Sequence, residues 1–168
     1  MSNQRRGGAV PKAASSAQSP VTEYDIRLID VTTRTVNFRV LRTPRQSFDQ
    51  SLELRIDKNS ERIDDTSFEV VLSVTIIFNN RDERPFDAQF AVAGTYSHKK
   101  GLPDEVVSYL KWVNGPVMLW PYMRELIASI TGRAGYAPLV IETLDVSRFA
   151  RSQSQEANTR KQSDESTG

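Results

Sequence analysis

The side chains that most often carry out acid–base or metal chemistry are few and scattered in this chain. His98 is the single histidine and cysteine is absent. The chain therefore lacks the residues for a histidine-based catalytic triad or a cysteine–histidine metal site. The acidic pairs Asp64–Asp65 and Asp82–Glu83 lie in polar loops without a third ligand at useful spacing. Gly7–Gly8 precedes no predicted helix, so it is not a phosphate loop. We therefore expect no enzyme activity, no metal and no cofactor.

Four segments alternate apolar and polar residues with the period of two that is typical of half-buried strands. They span residues 35–41, 51–57, 68–79 and 86–96. The third segment is apolar on part of its second face as well, which favours a central place in the sheet. The polar loop that follows it ends in Pro85 and suits an antiparallel connection.

Two helices are predicted after the strands. Pro103 opens the first, and Gly115–Pro116 is expected to stop it. The second begins near Trp120–Pro121 and has Gly132 and Gly135 available for its C-terminal cap. Strands followed by helices predict an α+β fold, with a four-stranded antiparallel sheet and two helices packed to one side of it.

The stretch from residue 115 to residue 142 resembles the signature of the SecB family of protein-export chaperones. In that family a strand-rich core precedes a Pro-aromatic-Pro-Tyr-x-Arg-Glu helix, an Arg-Gly turn and a Pro-Leu segment. The matching residues here are Pro116, Leu119, Trp120, Pro121, Tyr122, Arg124, Glu125, Arg133, Gly135, Pro138 and Leu139. The predicted order of strands and helices is also that of the SecB fold.

This resemblance implies an ATP-independent chaperone, a holdase that binds unfolded polypeptides in an apolar groove between the sheet and the later helices. Burial of apolar area does not read sequence, so such a groove suits clients without a common motif. The resemblance assigns the groove to Phe48, Leu52, Leu54, Ile56, Trp120 and Phe149. It also implies a cytoplasmic homotetramer, built as a dimer of dimers. Residues alone leave open whether 52–56 belongs to a groove or to a core beneath a helix.

One departure from the family concerns docking to the export motor SecA. Export-type members present acids on the flat outer face of the sheet, but the matching positions here are Thr35, Arg39 and Gln89. A surface of SecA that is complementary to acids would meet a like charge at Arg39 and no charge at Thr35 and Gln89. SecA binding is therefore expected to be weak. Some SecB-like proteins instead hold an antitoxin until it folds. Both export and antitoxin clients therefore stay open.

Two other function classes have some support in the sequence. Arg34, Arg39, Arg42 and Arg45 suggest a basic platform for nucleic acid, but Phe38 alternates out of phase with Arg39. We therefore do not expect nucleic-acid binding. A structural adaptor without chaperone activity is the second alternative. The pair Arg124–Glu125 is expected to be a structural ion pair in the helix.

Composition predicts one central domain between two tails. The domain is placed at residues 23–149, and the tails at 1–22 and 150–168. Both tails lack enough apolar side chains to offset the entropy of ordering, so we expect them to be disordered. No apolar run is long enough to span a membrane, and the first residues do not form a secretory signal.

Overall fold

The computed structural model describes residues 26–43 and 51–143. Its strands are β1 Ile26–Val40, β2 Leu52–Arg62, β3 Ser67–Phe78 and β4 Phe86–His98. They form one antiparallel sheet in the order β1-β4-β3-β2, so β3 is central as predicted. The helical part follows as α1 Asp104–Tyr109, a π-helical turn Leu110–Asn114 and α2 Gly115–Arg133. The predicted α+β class is confirmed, whereas Phe48, Phe149 and both predicted tails lie outside the described residues.

Strand β1 begins nine residues before its predicted start at residue 35. Its pairing with β4 shifts register between Leu28 and Asp30 and again between Thr33 and Thr35. Each bulge inserts an extra residue and reverses the faces of the side chains that follow. The period of two is therefore broken twice, which hides the first half of the strand from a search for alternation.

Strand β2 runs five residues beyond its predicted end at Asp57. The added inward-facing positions are the polar residues Lys58, Ser60 and Arg62, which pair with Leu72, Val70 and Phe68 of β3. Backbone pairing thus continues after the apolar alternation has stopped. The strand is half apolar and half polar on the side that faces the helices.

The prediction that Gly115–Pro116 ends the first helix is wrong, since the chain continues helically from residue 104 to residue 133. The sequence break is accommodated by the π-helical turn and by Pro116 at the start of α2. Proline lacks the N–H that would bond to the carbonyl four residues earlier, here that of Trp112. That carbonyl instead accepts a hydrogen bond from Lys58 Nζ at 3.3 Å.

Helix α2 packs closely on the sheet because two glycines leave room for it. A Cβ at Gly115 would lie 2.8 Å from Cγ2 of Val70, and one at Gly94 would lie 2.7 Å from Cδ2 of Leu119. The Tyr96 hydroxyl donates to the Gly115 carbonyl at 2.7 Å and fixes the start of α2 over β4. The core lies between this helix and the inner face of the sheet, which is the face toward the helices. Its fully buried members include Phe68, Leu72, Val74, Phe86, Phe90, Tyr96, Leu119, Met123 and Ile127.

Gly135 ends the helix, as the sequence indicates, with a φ of +89°. The N–H of Gly135 donates to Gly132 O at 3.0 Å, and the N–H of Tyr136 donates to Thr131 O at 3.1 Å. This is the Schellman pair of hydrogen bonds, which needs a left-handed residue just after the helix. Gly132 itself lies inside α2. The chain then turns back along the helix through residues 138–143.

Candidate functional site

Three half-buried apolar side chains form a strip along β2. Leu52, Leu54 and Ile56 alternate with exposed Glu53, Arg55 and Asp57. Directly opposite residues in an antiparallel pair share a face. The strip residues oppose Phe78, Ile76 and Val74, three buried core residues. The strip is therefore an extension of the core at the edge of the sheet, where cover by the helices is incomplete.

Lys58 marks the end of this apolar strip. It is the next inward-facing residue of β2 after Ile56, and its ammonium donates a hydrogen bond to the Trp112 carbonyl in the π-helical turn. A π-helical turn within a helix is frequently a functional feature. Here it connects the helical layer to the edge strand and limits the apolar strip to residues 52–56.

Trp120 is buried beneath the returning segment 138–143. Its side chain is 4% exposed, and Nε1 donates to the Glu142 carbonyl at 2.9 Å. Arg124 Nε donates to the Ile141 carbonyl at 2.8 Å, and Thr131 Oγ1 accepts from the Leu139 N–H at 2.9 Å. A client can reach the Trp120 indole only if this segment moves. The assignment of Trp120 to a groove therefore stays a prediction, as do those of Phe48 and Phe149.

Arg124 has a structural role, as expected, but its partner differs from the expected one. The predicted ion pair with Glu125 is not among the salt bridges of the described ranges 26–43 and 51–143. The guanidinium instead holds the returning chain against α2 through the Ile141 carbonyl. Adjacent residues on a helix point in different directions, which explains why the neighbouring carboxylate is not the partner.

The three positions compared above with export-type members, Thr35, Arg39 and Gln89, share the outer face of the sheet. Thr35 opposes Ala91, and Asn37 opposes Gln89. Arg39 opposes Asp87, whose carboxylate binds Arg84 Nε at 2.6 Å. The expectation of weak SecA binding that rests on these positions stays a prediction.

Acids nevertheless reach the outer face from β2, which the sequence reasoning did not consider. Glu53, Asp57 and Glu61 alternate with Arg55 and Asn59 on that side of the strand. The signal was present in the sequence as a polar period of two. These acids reach the outer face because β2 belongs to the same sheet as β1, at the other edge. No local sequence pattern predicts that strand order.

A salt bridge crosses the outer face between two strands that are not neighbours. Arg34 Nη2 lies 2.5 Å from Glu69 Oε2, so the side chain passes from β1 over β4 to β3. Arg34 sits at the second bulge of β1, where the extra residue is aimed differently from its neighbours. Beneath the crossing, Ala93 is 1% exposed.

These contacts do not support the basic platform considered above. Phe38 points inward, with its ring centroid 4.8 Å from that of Phe86, while Arg39 lies on the opposite face. Arg34 is held by Glu69, and Arg42 Nη2 donates to the Asp82 carbonyl at 2.6 Å. Single-stranded nucleic acid requires an aromatic surface flanked by available cations, and Arg34, Phe38, Arg39 and Arg42 do not form one. Arg45 lies outside the described residues.

The residues with potential for acid–base or metal chemistry have local structural contacts. Asp64 accepts from the Ser67 hydroxyl at 2.5 Å and from the Thr66 N–H at 2.7 Å, and these hydrogen bonds lower its pKa to about 2. His98 Nδ1 lies 2.9 Å from the Lys99 carbonyl oxygen, beside the ring of Phe68. No group of three or more metal-ligating side chains occurs in the described part of the chain. No helix within those residues is long and apolar enough to cross a membrane.

The sheet with a helix laid across it has a counterpart among solved structures. The SecB-like chaperone Rv1957 of Mycobacterium tuberculosis, solved in complex with a ChAD peptide from the HigA1 antitoxin, matches with a TM-score of 0.61. Sequence identity is 22%, and the match covers 71% of this chain and 90% of the other. The class of the protein is therefore that of the SecB-like fold.

The family assignment follows from sequence. The family model for preprotein translocase subunit SecB matches residues 21–157, so the chain belongs to the SecB family. The export protein SecB of Bartonella quintana is 30% identical over 102 residues, which cover 61% of this chain and 63% of that protein. SecB of Burkholderia multivorans is 32% identical over 112 residues, covering 64% and 69% respectively. The resemblance inferred from residues 115–142 is thereby confirmed.

Proposed function

We propose that this protein is an ATP-independent holdase that binds unfolded polypeptides through an apolar surface beginning at the strip Leu52, Leu54 and Ile56. The observation that carries the proposal is the incomplete cover of this strip in a chain of the SecB family. Phe48, Trp120 and Phe149 are the further groove residues in this proposal. The protein would act in the cytoplasm as a dimer of dimers.

The energetics suit promiscuous clients. Full burial of a leucine or isoleucine side chain contributes roughly 1.5–3 kcal/mol. The strip residues keep only the smaller part of their surface exposed, so each leaves at most about 1 kcal/mol for a client. Three such positions supply at most about 3 kcal/mol, up to about a hundredfold in affinity. This contribution requires only apolar side chains at suitable spacing in the client.

The client is proposed to be delivered without strong docking to SecA. Support comes from the outer face, where Thr35, Arg39 and Gln89 stand at the compared positions. The M. tuberculosis relative was solved with an antitoxin peptide, and a dedicated client of that kind is our proposal here too. Export clients remain the alternative that family membership supports.

The proposal is tested by suppression of aggregation. A chemically unfolded reporter protein is diluted into buffer with and without a stoichiometric amount of this chain, and light scattering is followed in the absence of nucleotide. We expect scattering to fall in proportion to the chain added. Unchanged scattering at a several-fold excess, or suppression that requires ATP, would contradict the ATP-independent holdase. Unchanged scattering would favour a structural adaptor instead.

A further inference from the structure

The hydrogen-bonding pattern of β2 determines which of its backbone groups face away from the sheet. At the two ends of the β2–β3 ladder, Asn79 N donates to Ser51 O at 3.3 Å and Ile63 N donates to Ser67 O at 3.0 Å. Hydrogen-bonded pairs recur every second residue in an antiparallel ladder, and this ladder has no register shift. The odd-numbered residues of β2 therefore bond to β3. The backbone groups of Leu52, Leu54 and Ile56 point to the other side, where no strand of the described residues lies.

The residues with outward backbone groups are the same residues that form the apolar strip. A strand added at this edge would thus meet donors, acceptors and apolar side chains at one set of positions. The pattern ends at Ser60, whose outward N–H is taken by the Asn59 side chain at 2.9 Å. The opposite edge strand, β1, is interrupted by two bulges, a device that discourages strand addition. Between residues 52 and 58, β2 is regular.

We propose that an extended segment of unfolded polypeptide adds to this edge of β2 as a fifth strand, with alternate apolar side chains over the inner face. The inference rests on the proposed holdase function and states how a client is held. Backbone hydrogen bonds are common to all sequences, so strand addition supplies binding that does not depend on the client's sequence. The strip then selects segments with apolar residues at every second position.

The size of the edge favours an extended polypeptide over a second folded copy of this chain. Seven residues of strand measure ~23 Å, and a contact ~10 Å wide along them covers ~230 Å² per partner. A stable dimer buries about 800 Å² per partner. An extended segment needs no such area from a rigid partner, since it places its own side chains over the inner face while its backbone pairs.

The first test uses backbone methylation of a synthetic peptide. The probe is a fluorescent nine-residue peptide in which leucine and serine alternate, with two derivatives that carry N-methyl groups on three leucine amides or on three serine amides. Antiparallel addition directs the leucine amides toward β2, so the first derivative should bind on the order of a hundredfold more weakly than the second. A loss confined to the serine derivative would show parallel addition and also support pairing. Equal affinities for the two derivatives would overturn the proposal.

The second test locates the pairing on β2. Leu54→Pro removes an outward N–H while leaving the bonds to β3, a substitution that edge strands tolerate. Leu54→Ala is the matched control that loses the side chain but keeps the N–H. We expect the preference between the two methylated peptides to persist in Leu54→Ala and to shrink at least fivefold in Leu54→Pro. An undiminished preference in Leu54→Pro would assign the pairing to another edge.

Other occupants of the edge give different results. The chain has no cysteine, so Leu54→Cys introduces a single thiol. Rapid disulfide-linked dimers that peptide does not suppress would assign the edge to a second copy and overturn the proposal. Peptide binding that appears only after removal of residues 144–168 would assign it to this chain's own C-terminal segment. If this chain suppresses aggregation but binds both methylated derivatives equally, strand addition is wrong and the holdase function stands. If it does not suppress aggregation, the holdase function itself is wrong.

Discussion

Replacing Leu54 by alanine should weaken client binding, and it should cost the fold less than truncation of a fully buried leucine does. Leu54 lies at the half-buried edge of the inner face, opposite Ile76. Part of its apolar surface is covered by the folded chain, and the remainder is available to a client. Truncation should therefore cost about 1–2 kcal/mol in the free energy of unfolding and at most about 1 kcal/mol, or up to about fivefold, in client affinity.

Leu72 provides the matched control, since it carries the same side chain on the same face but is fully buried in β3. A buried leucine-to-alanine change costs roughly 3–5 kcal/mol of unfolding free energy, including the cavity left behind. Leu72→Ala should thus lower the melting temperature several times as far as Leu54→Ala. Its effect on client affinity, measured well below its melting temperature, should be small.

The assay pairs thermal unfolding by circular dichroism with fluorescence titration of an unfolded client. We expect Leu54→Ala to lower client affinity with a modest loss of stability, and Leu72→Ala to lower stability strongly with little effect on client affinity. If Leu54→Ala destabilised the fold by about 3 kcal/mol and left client affinity unchanged, Leu54 would be a core residue. The apolar strip would then be no binding surface.

Three further predictions concern packing, pH and docking. Gly115→Ala should cost about 1–3 kcal/mol of stability because its Cβ would clash with Val70. Gly132→Ala, whose Cβ would lie 3.4 Å from Pro138 Cγ, should be neutral or stabilising by up to ~1 kcal/mol. Chemical denaturation of both variants tests this difference. Burial raises the pKa of Tyr96, so the folded state favours the neutral phenol. The free energy of unfolding should therefore fall as the pH rises above the ordinary tyrosine pKa near 10. An equally steep decline in alkaline unfolding curves of a Tyr96→Phe variant would contradict this cause. Low-salt calorimetry should detect weak or no binding to SecA, and sub-micromolar binding through the outer face would show that Thr35, Arg39 and Gln89 do not decide docking.

Most of the fold could be predicted from local patterns, and the misses have physical causes. Alternation revealed all four strands, but the bulges in β1 concealed its first nine residues and the polar inner positions after Asp57 concealed the end of β2. Gly115–Pro116 has the composition of a helix stop. It is tolerated because a π-helical turn precedes it and because Gly115 allows close contact with Val70, a tertiary requirement that a local reading does not contain.

The candidate site was less accessible to sequence reasoning. Leu52, Leu54 and Ile56 were identified through resemblance, since alternation alone equally describes a core strand. Their half-burial depends on β2 being an edge strand, which is a property of sheet order. The same order brings Glu53, Asp57 and Glu61 to the outer face. Trp120 belongs to the signature helix, but the returning chain at Glu142 covers it.

The central claim is that this protein recognises the unfolded state of a polypeptide, and the most direct measurement compares two states of one client. A disulfide-stabilised reporter is prepared in its native form and in a reduced, carboxymethylated form that cannot fold, and the affinity of this chain for each is measured without nucleotide. The account predicts binding of the unfolded form at least a hundredfold tighter than that of the native form. Equal affinity for both forms, or binding of neither, would contradict it.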